Sequence, residues 1–242
     1  MRFRQIHAAW KRESIPLTWT IETRIAIDGP VGAGKTTVGR QLAHRLDCRF
    51  LDTGLMYRAL TRAALDDGMD LDDEPAMVVL AGAARIEYRF SPDGGLSVDI
   101  DGEDATILLR TADVDRGVSI TAALPAVRAI LVARQREIAG EASIVMVGRD
   151  IGTVVLPDAE LKIYLTASAE ERARRRHEES MKLGIDGTYD EILSATLRRD
   201  RIDSDRAASP LMQAEDSVLL DSDNKSVRQV VDEIVELAES RR

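Results

Sequence analysis

The sequence predicts an α/β fold, with a central parallel sheet of about five strands covered by helices on both faces. Three observations predict it. Short apolar runs alternate with helix-length segments along the 242 residues, and parallel strands need this order because each crossover requires a helix. The segment Ser143-Ile144-Val145-Met146-Val147 is apolar after its first residue, as a strand buried on both faces must be. Gly29-Pro30-Val31-Gly32-Ala33-Gly34-Lys35-Thr36 matches G-x-x-x-x-G-K-[ST] and lies between an apolar strand and a helix. That loop makes the architecture a P-loop NTPase three-layer sandwich.

Arg24 to Asp28 predicts the first strand and Lys35 to Leu46 the first helix. Arg49-Phe50-Leu51 is a short strand that ends at Asp52-Thr53-Gly54, and a helix follows over 55–68. The pattern then changes. A helix near 74–84 precedes the alternating run Arg85-Ile86-Glu87-Tyr88-Arg89-Phe90. Ser91-Pro92-Asp93-Gly94-Gly95 has turn chemistry, and Leu96 to Asp104 returns as a small antiparallel sheet. Residues 70–118 therefore read as an insertion on a core made of 23–69 and 119–242. A helix over 122–139, with Pro125 in its first turn, leads into the strand 143–147. Leu161 to Leu165 is the next strand, and a strongly charged helix covers 169–182 until the segment Gly184 to Gly187 breaks it. A helix over 189–204, the strand Val218-Leu219-Leu220 and a terminal helix over 226–240 complete the chain.

The loop carries the clearest chemistry. Its glycines let backbone N–H groups turn inward around a polyphosphate, and the helix N-terminus adds positive potential. Gly29, Pro30, Val31, Gly32, Ala33, Gly34, Lys35, Thr36 and Thr37 are the candidate nucleotide-binding residues. Lys35 reaches the β/γ-phosphates, and the Thr36 hydroxyl is the candidate metal ligand, for Mg²⁺. Most of the 33 basic residues are arginines, so a lysine at this position stands out. The loop implies a bound nucleoside triphosphate.

Composition narrows the remaining classes. A hydrophobic fraction of 44% with 31% charged residues describes a folded globular chain. The net charge of −9 argues against broad binding to nucleic acid or anionic membranes, and no apolar run approaches a membrane span. The single cysteine, Cys48, forms no internal disulfide; it reads as a core residue and fits a reducing cytoplasm. Residues 1–22 hold both tryptophans but no signal-peptide pattern, and are expected to be a poorly ordered extension.

Three further segments resemble one family. Leu51-Asp52-Thr53-Gly54-Leu55-Met56-Tyr57-Arg58 is similar to a signature of bacterial cytidylate kinases. Gly148-Arg149-Asp150-Ile151-Gly152-Thr153-Val154-Val155 with Pro157-Asp158-Ala159 resembles a second signature. Arg199-Asp200-Arg201-Ile202-Asp203-Ser204-Asp205-Arg206, followed by Ser209-Pro210-Leu211, resembles a third. The resemblance runs in order from Arg24 to the C-terminus, and the inserted block looks like the nucleoside-monophosphate-binding insertion of the long-form enzymes. Leu55 stands where alanine is usual and Leu156 where phenylalanine is usual, and the N-terminal extension is additional. The resemblance implies a cytoplasmic monomer that transfers the γ-phosphoryl group of ATP, with Mg²⁺, to CMP or dCMP.

It also implies roles. Arg58, Arg149 and Arg206 match acceptor-phosphate arginines, and Lys35, Arg149 and Arg206 are the implied catalytic residues. Arg199 and Asp203 match a pair that grips the sugar hydroxyls. Asp150 matches the carboxylate that accepts from the cytosine amine, with Ser119 and Arg128 meeting O2 and N3, while Thr53 and Tyr57 line the pocket. By spacing alone, Arg199, Asp203 and Arg206 share one helix face and equally describe a salt-bridged surface helix. Asp150, just past a buried strand, equally describes a carboxylate near Mg²⁺. Asp52 is a candidate to act on Mg²⁺ from behind its ligands or to position neighbouring groups, and Asp28 is expected to have a structural or water-mediated role. Arg172, Arg174, Arg175 and Arg176 fall in an expected lid over 172–190 that closes on the phosphates. The alternatives are a P-loop kinase acting on UMP or AMP, and a non-enzymatic nucleotide-dependent switch.

Overall fold

The computed structural model describes residues 23–90, 96–140, 143–182, 187–205 and 209–241. The expectations for the extension 1–22, the turn 91–95, Gly184 and Arg206 fall outside the described residues. The chain runs β1 (Arg24–Asp28), α1 (Lys35–Arg45), β2 (Arg49–Asp52), α2 (Thr53–Asp66), α3 (Glu74–Ala83), β3 (Ile86–Phe90), β4 (Leu96–Ile100) and β5 (Glu103–Asp104). A 3₁₀ turn at Leu108–Arg110 leads to α4 (Ala112–Thr121), α5 (Pro125–Ala139) and β6 (Ile144–Gly148). A π-helical turn at Ile151–Val155 precedes β7 (Leu161–Thr166), α6 (Ala169–Lys182), α7 (Tyr189–Asp205), β8 (Val218–Asp221) and α8 (Val227–Ser240).

Five strands form one parallel sheet in the order β2-β6-β1-β7-β8. Strand geometry sends alternate residues to opposite faces. Ala26, Leu51, Ile144 and Met146 join the core under α2, α3 and α5, whereas Ile25, Ile27, Phe50, Val145 and Val147 pack with α1 and α8. This is why Ile25 to Ile27 of β1 and Ile144 to Val147 of β6 are unbroken apolar runs: both faces are covered. Because every strand points the same way, β1, β2, β6 and β7 end on one edge, where the segments beginning at Gly29, Thr53, Arg149 and Ala167 gather.

A second, antiparallel sheet has the order β3-β4-β5. Val98 packs with Ala59 of α2, Ala105 and Leu109, so this small sheet rests on the outer side of α2. Helix α3 lies instead against the main core, where Met77 and Ala81 are fully buried.

The predicted helix over 122–139 needs correcting. Helix α4 ends at Thr121, Leu124 is extended with ψ 113°, and α5 starts at Pro125 with a 99° bend between the two helices. Proline disfavours helical geometry in the residue before it, so Leu124 breaks the path and Pro125 occupies the first turn of α5. Two glycines shape the entry to α1. Gly29 has φ 148°, and a Cβ there would sit 1.9 Å from the Leu165 carbonyl oxygen. Gly34 caps α1 in the left-handed region, with φ 93° and no side-chain cap. Among the described residues no single helix is long and apolar enough to cross a membrane.

Candidate active site

The donor half is built at the end of β1. Lys35 is buried, and its ammonium donates to the carbonyls of Gly29 at 2.7 Å and Pro30 at 2.6 Å. The side chain therefore curls back over the loop that carries it. Burial, followed by the nearby Arg149 guanidinium, drives the Lys35 pKa well below its ordinary value, against the pull of Asp52, Asp28 and Asp203. No acidic residue lies in the first turn of α1, so its N-terminal amides meet no competing carboxylate there. The Thr36 hydroxyl donates to Asp52 Oδ2 at 2.6 Å, while Asp52 Oδ1 accepts from Gly54 N at 3.0 Å and caps α2. One carboxylate thus positions the loop threonine and starts the next helix. Gly32 and Thr37 are exposed, and Val31 and Gly34 are partly so.

Asp28 links this half to the next. Its two oxygens accept from Ile151 N and Gly152 N, each at 2.8 Å, which pins the π-helical turn to the end of β1. Burial is the main cause of its raised pKa of about 6; the two amide donors oppose the rise and Asp150 adds to it.

The residues expected to meet the acceptor fall into two groups. The first is a buried polar corner in which Arg128 donates to Asp150 Oδ2 and, at 3.2 Å, to the Ala122 carbonyl. The guanidinium also lies over the Tyr57 ring, 5.4 Å from its centre. Ser119, two residues before the end of α4, is partly buried, and Thr53 donates to the Val147 carbonyl at 3.0 Å. The second is a set of arginines. Arg149, just past β6, donates to Asp203 Oδ2 at 2.7 Å. Arg58 donates to the Leu109 carbonyl at 2.8 Å and to Asp115 Oδ1 at 2.5 Å. Arg199 NH1 lies 3.9 Å from the same carboxylate. Burial, then Arg149, pushes the Arg199 pKa down to about 10.

The structure thus brings Lys35, Thr36, Thr53, Tyr57, Arg58, Ser119, Arg128, Arg149, Asp150, Arg199 and Asp203 to the carboxyl edge of the sheet and the helices beside it. Asp150 pairs with Arg128, whereas Thr36 pairs with Asp52, so the carboxylate beside the loop threonine is Asp52. Sequence reasoning missed Asp115, whose partners Arg58 and Arg176 lie 57 and 61 residues away. It also missed how differently the α6 arginines are used. Arg172 is buried and bonds the Ala167 and Val31 carbonyls, each at 3.0 Å, and both oxygens of Asp200 at 3.0 and 2.6 Å. Arg175 holds Glu171 and Ser222, Arg176 reaches Asp115, and exposed Arg174 pairs with Glu171 and Glu178. Among the described residues, no group of three or more His, Cys, Asp or Glu side chains is arranged to hold a metal ion by itself.

Comparison with known proteins agrees with the three signatures. The chain is 47% identical over 218 residues to a cytidylate kinase of Geobacillus sp. strain WCH70, covering 90% of this chain and 97% of that protein. It is 48% identical over 217 residues to the cytidylate kinase of Geobacillus kaustophilus, covering 90% and 96%. With that of Desulforamulus reducens it shares 49% identity over 211 residues, covering 87% and 94%. The cytidylate kinase family model matches residues 25–240, and the chain belongs to the cytidylate kinase family.

Proposed function

We propose that this protein transfers the γ-phosphoryl group of ATP to CMP or dCMP, giving ADP and CDP or dCDP. The observation that carries the reading is the pairing of a phosphate-binding loop with a buried Arg128–Asp150 corner on the same sheet edge. Family membership supplies the donor and acceptor classes.

In-line phosphoryl transfer asks the protein for position and charge neutralisation rather than covalent chemistry. The loop amides from Gly29 to Thr37 and the Lys35 ammonium hold the ATP phosphates, and a polyphosphate there stabilises the lysine charge that burial disfavours. Thr36 and Asp52 fit Mg²⁺, because a hydroxyl that donates to a carboxylate turns its lone pairs outward, and Mg²⁺ prefers hard oxygen donors. If bound there, Mg²⁺ would be held by Thr36 and Asp52 and would offset phosphate charge. Arg58 and Arg149, with Arg206, take the acceptor phosphate. Arg199 and Asp203 take the sugar hydroxyls.

Asp150 accepts from the cytosine amine, where uracil would present a second acceptor, and Ser119, Arg128, Thr53 and Tyr57 complete the base pocket. In this reading the inserted segment 70–118 and the lid 172–190 serve the acceptor and the phosphates. A cytoplasmic monomer is part of the same proposal.

The test is a panel of CMP, dCMP, UMP and AMP with ATP and Mg²⁺, read as acceptor-stimulated ADP release. CMP or dCMP should turn over fastest. Faster turnover of UMP would overturn the base assignment, and ADP release without any acceptor response would favour a nucleotide-dependent switch.

A further inference from the structure

We propose that Asp115 is a positioning residue that acts as a resident counter-anion for the acceptor-phosphate arginines and weakens the hold on the incoming phosphate. Guanidinium groups from three other elements converge on this one carboxylate of α4. Arg58 of α2 donates to Oδ1 at 2.5 Å, Arg176 of α6 donates to Oδ2 at 3.1 Å, and Arg199 of α7 stands 3.9 Å from Oδ1. The Asp115 side chain is 28% exposed, so the cluster reaches solvent rather than lying in a sealed core. Arg149 adds a fourth positive charge and is held at 2.7 Å by Asp203.

One donor of this group lacks an acceptor among the described residues: Arg199 Nε is buried without a hydrogen-bond partner. Among the described residues, Asp115 and Asp203 face the guanidinium groups of Arg58, Arg149, Arg176 and Arg199, an imbalance that a phosphate dianion would correct. Asp115 also lies four residues before Ser119 on α4, so the two share a helix face. This cluster gathers four elements that meet only in the folded chain.

The inference rests on the acceptor-phosphate assignment of Arg58 and Arg149, and its direction follows from what survives without the carboxylate. Arg58 keeps its bond to the Leu109 carbonyl at 2.8 Å, and the Arg199 side chain is only 19% exposed, so both stay in place. Arg176 is the group that loses its tie to α4. A negative charge beside the acceptor phosphate repels it, and removing that charge strengthens phosphate binding while loosening α6.

The experiment compares Asp115→Asn, Asp115→Ser and Asp115→Glu with the unaltered full chain. It measures kcat, KM for CMP, KM for ATP, and inhibition by inorganic sulfate against CMP. Both neutral variants should lower KM for CMP and the sulfate inhibition constant by roughly threefold or more. Their kcat should fall, KM for ATP should hold, and Asp115→Glu should restore the parent sulfate value. An unchanged or raised sulfate constant in both neutral variants, in a protein that turns over CMP, would overturn the inference. Calorimetric sulfate titration reads the same effect without turnover. Tighter sulfate binding in the variants supports the counter-anion role even if CMP proves not to be the acceptor, and unchanged binding removes it.

Discussion

Asp28 stands at the point where one side chain controls two segments. Its carboxylate accepts from the amides of Ile151 and Gly152, so it fixes the turn that follows Arg149 and Asp150. A carboxyl group whose pKa rises on folding holds its proton more firmly in the native chain than in the unfolded one. Between its ordinary 3.8 and about 6, the native state therefore carries the extra proton, and Asp28's contribution to stability falls as pH rises through that window. Activity runs the other way. The ionised carboxylate is the better acceptor for two amides, so kcat/KM should drop as pH falls below about 6. Asp28→Asn presents an N–H to one of those amides and has no charge to lose. It should lower kcat/KM throughout and flatten the acid limb in parallel pH–rate profiles. A limb that persists unchanged in the variant would belong to another group.

Helix α6 shows how far an element's role departs from its sequence pattern. Arg172 is buried and bonds Ala167, Val31 and Asp200, whereas Arg174 is exposed and, among the described residues, bonds glutamates of its own helix. Arg172→Ala would strip the hydrogen-bond donor from Asp200 and from the Val31 carbonyl. It should cost about 2 kcal/mol, or a fall in Tm of about 4–8 °C. Arg174→Ala should leave the melting curve where it is. Thermal unfolding of the two variants decides, and the reverse order would mean that α6 is not tied down through Arg172. The arginines look alike in sequence because the partners that separate them, Val31, Asp200, Ser222 and Asp115, arrive from other parts of the chain. The strands were legible for the opposite reason. Burial of β1 and β6 on both faces leaves unbroken apolar runs, a local mark of a global constraint. Helix α4 was not legible, since Val114, Gly117 and Val118 are buried in a segment with acidic, β-branched and glycine residues. A Cβ at Gly117 would lie 2.5 Å from Leu71 Cδ1, so what it contributes is close packing against neighbours that the local pattern does not reveal. The loop and the three signatures supplied the candidate site residues, but the Asp115 cluster depends on four elements meeting.

A chain of net charge −9 that binds two polyanions must concentrate positive charge in one place, and the carboxyl edge of the sheet is that place. The same edge joins donor and acceptor mechanically. The Val31 carbonyl in the loop bonds Arg172, which grips Asp200 on α7; α7 also carries Arg199 and Asp203, and Asp203 holds Arg149. Filling the loop restrains Val31, and through Arg172 it restrains the helix that presents the acceptor-side residues. A bound non-hydrolysable ATP analogue should therefore tighten CMP, and CMP should tighten the analogue by the same factor, about fivefold or more. Calorimetric titration of each nucleotide with and without the other measures both arms. Arg172→Lys keeps the charge but loses the fork that spans Asp200 and Val31, so it should shrink the coupling more than it changes CMP affinity alone. If the two nucleotides bind independently in the parent protein, the path through Arg172 carries no energy between the sites. If coupling is strong and survives Arg172→Lys, it travels instead by the Asp28 clamp, and the Asp28→Asn variant should then show it weakened.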